Sequence, residues 1–145
     1  MYFVDRKQIE ELLIYIDGLL EDISNNEFTS ELEKLALERI AHVLIESILD
    51  VGNLMIDGFI MRDPGSYDDI IDILTDEKVI PEEEEAVYKD VIGLRKNLVT
   101  DFMYVDHHQL EIKLKEDVST LTKFSTHTRT YLTNELGVAN AFLPE

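Results

Sequence analysis

The chain is predicted to fold as an all-α, antiparallel four-helix bundle. Three observations predict this: four segments with apolar residues every three or four positions, a helix-starting signal ahead of each, and no segment with strand alternation. At 145 residues, 45% of them hydrophobic and 30% charged, the chain suits one domain with a sizeable core. Only the connection after Gly58 is long, so successive helices run antiparallel. The domain is expected over residues 1–137, with a C-terminal tail over 138–145.

The first helix is expected from about Asp5 to Asn25. Ile9, Leu12, Leu13, Ile16, Leu19, Leu20 and Ile23 give it one apolar face, and Asp5 with Gln8 three residues on can cap it. The second starts at Ser30, where Ser30 and Glu33 form a capping-box pattern, and runs to Met55 or Asp57, stopping at Gly58. Asp63-Pro64-Gly65 is a turn. Ser66 with Asp69 then starts a short extra helix through Leu74. The third long helix is expected to begin at Pro81, followed by Glu82, Glu83, Glu84 and Glu85, because proline and acids suit exposed amides and the helix dipole. It carries Val87, Val91, Leu94, Leu98 and Phe102. The last begins at Asp106, with Gln109 three residues on, and ends at Gly137.

Composition narrows the function classes. The chain has no cysteine, which excludes disulfides, thiol nucleophiles and thiolate metal sites. The start, Met1-Tyr2-Phe3-Val4-Asp5-Arg6, has no signal-peptide pattern. No apolar run reaches the roughly 18 residues of a membrane span, so a cytoplasmic protein without membrane attachment is expected. Net charge is −18, from 31 acidic and 13 basic residues. Such a chain repels RNA at long range and suits a basic partner; solubility alone also accounts for the charge.

Two features carry candidate chemistry. On the second helix Arg39, His42, Glu46, Asp50, Asn53 and Asp57 form a narrow polar stripe on an otherwise apolar helix. The stripe is either a solvated ridge or the lining of a subunit interface or cleft. Arg95 shares a face with Val91, Leu98, Val99 and Phe102. Burying its charge unpaired would be costly, so it is expected to meet Glu46 or Asp50, or to reach water over its own stem. No histidine pair stands at metal-ligand spacing with a convincing third ligand. No Gly-rich phosphate loop or G-x-S-x-G is present, and no cofactor or metal is expected. The acids at 82–85 suit the helix dipole better than a metal.

The run Gly93-Leu94-Arg95-Lys96-Asn97-Leu98-Val99-Thr100-Asp101-Phe102 resembles the signature helix of the HepT-like proteins, a branch of the all-helical HEPN superfamily. So do Phe3-Val4-Asp5, Glu46 to Asn53 and Pro64 to Asp69, and the resemblance covers nearly the whole chain. It implies a homodimeric bundle in a toxin–antitoxin setting. The toxin of such a pair cuts RNA without a metal, and a small nucleotidyltransferase, MntA, neutralises it by adding AMP to a tyrosine. The implied catalytic pair is an arginine, here Arg95, and a histidine after four to six intervening residues. Thr100, Asp101 and Phe102 occupy the three positions open to that histidine. Phe102 also stands where the modified tyrosine would be, and Tyr104 lies two residues further on. A threonine has no group that exchanges a proton near neutral pH, and an ordinary aspartate is already ionised there.

Three functions are compatible with these residues. The first is a binding or regulatory homodimer with a degenerate ribonuclease site. The second is a ribonuclease in which His42, Glu46 or Asp50 replaces the missing histidine beside Arg95. The third is a nucleotide- or anion-binding groove around Arg95.

Overall fold

The structure, a computed structural model, describes residues 3–135, 137 and 140–144. In chain order its helices are α1 (Arg6–Asn25), α2 (Glu31–Gly58), α3 (Tyr67–Asp76), a 3-10 turn (Glu82–Glu84), α4 (Glu85–Gly93), α5 (Arg95–Val99), α6 (His107–Leu121) and α7 (Lys123–Glu135). The bundle is formed by α1, α2, the α4–α5 pair and the α6–α7 pair, with α3 packed on α2 and α4.

The expected starts are where the capping chemistry puts them. Asp5 accepts from Lys7 N, Ser66 from Asp69 N and Asp106 from Gln109 N. Ser30 and Glu33 satisfy each other's backbone amides at 3.1 and 2.9 Å, a complete capping box. Pro81 stands one place before its expected position, preceding the 3-10 turn.

Two expected long helices are broken. The third ends at Val99, with a step at Leu94, whose amide bonds back only three residues to Val91. Asn97 then turns the chain: its side-chain amide donates to the carbonyls of Asp101 and Tyr104 at 3.1 and 3.2 Å, satisfying backbone acceptors that a helix would use itself. Phe102 therefore leaves the helix face it was expected to share with Leu98, and is 59% exposed. The last helix breaks at Thr122, whose hydroxyl donates to Val118 O at 2.7 Å, a back-bond that bends helices. The expected end at Gly137 falls beside Leu136, and the start of the expected tail, Val138 and Ala139, with its last residue, Glu145, lies outside the described residues.

The core is built around α2. Leu44, Ile45, Ile48, Leu49, Val51 and Met55 are buried, covered by α1, α3, α5 and α6. The wide apolar circumference of this helix is thus filled within one chain. At Gly52 the backbone approach is tight: an added Cβ would sit 2.5 Å from Ile70 Cγ2 of α3.

The end of the chain is not a free tail where it is described. Ala141 N donates to Gly58 O at 2.7 Å, and Val4 exchanges hydrogen bonds with Ala141 and Leu143 at 2.8 and 2.9 Å. Phe142 is buried and stacks edge-on against Phe59. Gly58, expected only as a helix stop, makes room for that ring, since a Cβ there would lie 2.2 Å from Phe142 Cζ. The left-handed position at the end of α2 belongs to Ile60 instead.

Gly58→Ala is therefore expected to cost about 1–3 kcal/mol by overpacking against the ring. In a Phe142→Ala background the same change should be neutral or stabilising, because alanine is the better helix former. Urea unfolding of the two single variants and the double variant tests this, and simple additivity would contradict it.

Candidate functional site

The site begins with the turn after α2. Arg62 donates to both oxygens of Asp69 at 2.7 and 2.8 Å, and Gly65 N donates to Asp69 Oδ2 at 2.9 Å. These bonds hold the Asp69 carboxyl down to about 2, the Arg62 hydrogen bond being the first cause. Asp69 thereby fixes the Asp63-Pro64-Gly65 turn and sets Tyr67 at the first position of α3.

Tyr67 meets Arg95. The guanidinium carbon lies 4.7 Å from the Tyr67 ring centre, a cation–π distance. Arg95 Nε donates to Glu46 Oε1 of α2 at 2.6 Å, and this bond, ahead of the opposing desolvation, holds the guanidinium above its ordinary value. The side chains are 27% and 37% exposed, so the pair is sheltered rather than buried.

The stripe on α2 continues on either side of Glu46. His42 Nε2 lies 3.7 Å from the same Glu46 oxygen. Asp50 is exposed, and among the described residues Arg95 is paired with Glu46 and not with Asp50; the Asp50 carboxyl is raised, first by partial desolvation and then by the charge of Glu46. Of the two acids expected to meet Arg95, Glu46 is the one that does. Arg39, Asp50, Asn53 and Asp57 stand at the surface.

A cleft of about 400 Å³ opens beside Arg95, lined on its other sides by Tyr67, Asp68, Gly93, Lys96 and Thr100. The structure thus brings Arg95 and Thr100 to one cavity, with Glu46 gripping the arginine and His42 next to Glu46. Asp101 and Phe102 are exposed in the turn beyond and do not line it. Tyr67 and Lys96 were not singled out from the sequence. The Ser66 cap signal placed Tyr67 at a helix start, but only packing turns it toward Arg95.

Two histidines join elements of the bundle. His107 Nε2 lies 2.7 Å from Glu38, tying the start of α6 to α2. His127 Nε2 lies 3.0 Å from Glu84. Glu84 itself, expected to serve the helix dipole, is 8% exposed and also meets the hydroxyl of the buried Tyr88 at 3.5 Å. Among the described residues no group of three or more acids and histidines could hold a metal. No described helix is long and apolar enough to cross a membrane.

The chain is similar to known proteins over nearly its whole length. The sequence profile of the ribonuclease HepT-like family matches residues 8–128. The chain belongs to the HepT-like family. It is 50% identical over 143 residues to a Bacillus subtilis (strain 168) protein called "Putative RNase YutE", covering 98% of this chain and 99% of that one. The solved structure of YutE, described as a cytosolic protein of unknown function from Bacillus subtilis, superposes with a TM-score of 0.90 over 98% of this chain and 100% of that chain.

A half-sheltered pair contributes far less than a buried one. Arg95→Ala and Glu46→Gln are expected to show a coupling of about 1 kcal/mol in a double-mutant cycle, against the roughly 3–5 kcal/mol lost when a buried pair is broken. Asp50→Asn should show no coupling to Arg95. Thermal or urea melts measure both, and strong Arg95–Asp50 coupling would contradict the assignment of Glu46.

Proposed function

We propose that this HepT-like protein has a degenerate ribonuclease site and works as a binding or regulatory homodimer. The observation that carries this reading is the pairing of Arg95 with Thr100 on one cleft. A metal-independent cut at an RNA phosphodiester needs a group that takes a proton from the 2′-hydroxyl and one that returns a proton to the leaving oxygen. The threonine hydroxyl does neither near neutral pH, and Phe102 has no oxygen to receive an AMP group. What remains at the cleft is a fixed cation, Arg95, with Lys96 beside it and a tyrosine ring beneath. That arrangement suits holding a small anion, so a nucleotide is the proposed small ligand, and a small nucleotidyltransferase of the MntA kind is the proposed partner in a toxin–antitoxin setting.

The homodimer reading rests on the outer stripe of α2. Toward its N-terminal end that stripe passes into Leu32 and Leu35, which are 79% and 59% exposed. A second copy laid against this face would cover both leucines and bring two Glu46–Arg95 pairs toward each other.

One observation favours a second reading, an active ribonuclease. His42 shares Glu46 with Arg95, which puts an imidazole one side chain away from the arginine.

Incubation of the purified protein with labelled RNA separates the two. The binding reading predicts no cleavage by the wild type above the level of Arg95→Ala. Robust cleavage lost in both Arg95→Ala and His42→Ala would replace it with the second reading. Light scattering at micromolar concentration should give the mass of a dimer, and Leu32→Glu with Leu35→Glu should shift it to the monomer; a wild-type monomer would remove the dimer from the account.

A further inference from the structure

The turn that ends α5 presents Phe102, Met103 and Tyr104 in succession, 59%, 74% and 76% exposed. Three consecutive large apolar side chains directed at water are costly unless something covers them. The turn is not slack. Tyr104 N donates to Asp101 O at 3.0 Å, and Asn97 clamps the carbonyls of Asp101 and Tyr104 together. The three side chains are therefore displayed on a fixed backbone, which lowers the ordering cost of binding. Aromatic residues and methionine are also the types enriched where protein partners meet.

A small groove of about 220 Å³ lies beside this turn, with Leu94, Leu98 and Leu110 in its walls and Asp106 and Gln109 at its rim. Ridge and groove share Asn97, which belongs both to the clamp and to the groove. Acids dominate the charge between the two lysines, Lys96 and Lys113, that flank them. From Asn97 to Ile112 the chain carries Asp101, Asp106 and Glu111 and no lysine or arginine. Lys113, at the groove's edge, is occupied by Asp117 at 3.0 Å and Asp90 at 3.4 Å. With a net charge of −18 for the whole chain, a polyanion is repelled here and a cationic partner attracted.

We propose that residues 101–104 and the adjacent Leu94–Leu98–Leu110 groove form a docking surface for a basic, amphipathic protein segment. Its apolar side chains cover Phe102, Met103 and Tyr104 and enter the groove, while its lysines or arginines face Asp101 and Asp106. The surface lies outside the Arg95 cleft, whose lining residues include none of the three apolar side chains. The inference rests on the binding reading of the protein and gives that reading a partner chemistry.

The test uses the full chain and two labelled 18-residue peptides of equal positive charge, one of leucine and lysine, the other of glycine and lysine, followed by fluorescence anisotropy. The wild type is expected to bind the leucine–lysine peptide at least tenfold more tightly. The triple variant Phe102→Ser, Met103→Ser, Tyr104→Ser should lose that preference while keeping the wild-type helical circular dichroism. Asp101→Asn should weaken binding at low salt and make little difference at high salt. A preference unchanged in the triple variant would overturn the proposal, as would equal binding of both peptides by the wild type. A drop in the mass of the free protein on making the triple variant would also overturn it, assigning the ridge to a second copy of the chain. Labelled single-stranded RNA that binds the wild type and not the triple variant would assign it to nucleic acid. Equal binding of the two peptides by a wild type that does not cut RNA removes this surface alone, whereas RNA cleavage removes the binding reading itself.

Discussion

The burial of α2 is the constraint from which the rest of the structure follows. A 28-residue helix with apolar side chains around most of its circumference has to be sheathed on nearly every side. In this chain α1, α3, α5 and α6 supply the sheath. Only one stripe is left open, and Glu46 stands on it. The α3 segment is drawn so close at Gly52 that an added Cβ would press on the Ile70 side chain at 2.5 Å, and the start of α3, with Tyr67, lies alongside Arg95 of α5. Arg95 is then gripped from two directions, by a carboxylate of the central helix and a ring of the covering one. The site is a consequence of how α2 is wrapped.

The same constraint explains which parts of the fold were legible in the sequence. Helix starts were, because a cap is local chemistry: Asp5, Ser30, Ser66 and Asp106 each accept a bond from a backbone amide two or three residues on. Helix interiors were, because periodicity reports burial. The breaks were not. Asn97 and Thr122 interrupt their helices through bonds from their side chains to backbone carbonyls, and neither residue type marks a break in a sequence, where both are tolerated in helices. The docking of Phe142 under Phe59 joins residues more than eighty positions apart, and the only trace of it was a glycine that could equally end a helix.

At the candidate site the arginine and the class of its partner were legible, since an apolar face cannot hold a lone guanidinium cheaply. The choice of Glu46 over Asp50 depends on reach across the α2–α5 contact, which one helical turn alters and no sequence pattern encodes. Placing Phe102 on the buried face followed from extending the helix one turn too far. Its exposure, with that of Met103 and Tyr104, is what shows a surface the sequence had hidden in an apparently regular apolar run. Glu84 and His127 illustrate the reverse case, in which two residues with ordinary local explanations are brought together by the meeting of α7 with the turn before α4.

We propose that the Arg95 cleft retains the framework of a metal-independent ribonuclease and has lost a proton-exchanging side chain at Thr100. Supplying that side chain is the most direct test. Thr100→His places an imidazole on the cleft that already holds Arg95, and labelled RNA then reads out whether the architecture is intact. The variant is expected to cut RNA, the wild type is not, and adding Arg95→Ala is expected to abolish the gained activity. A wild type that cuts RNA as well as or better than Thr100→His would contradict the proposal.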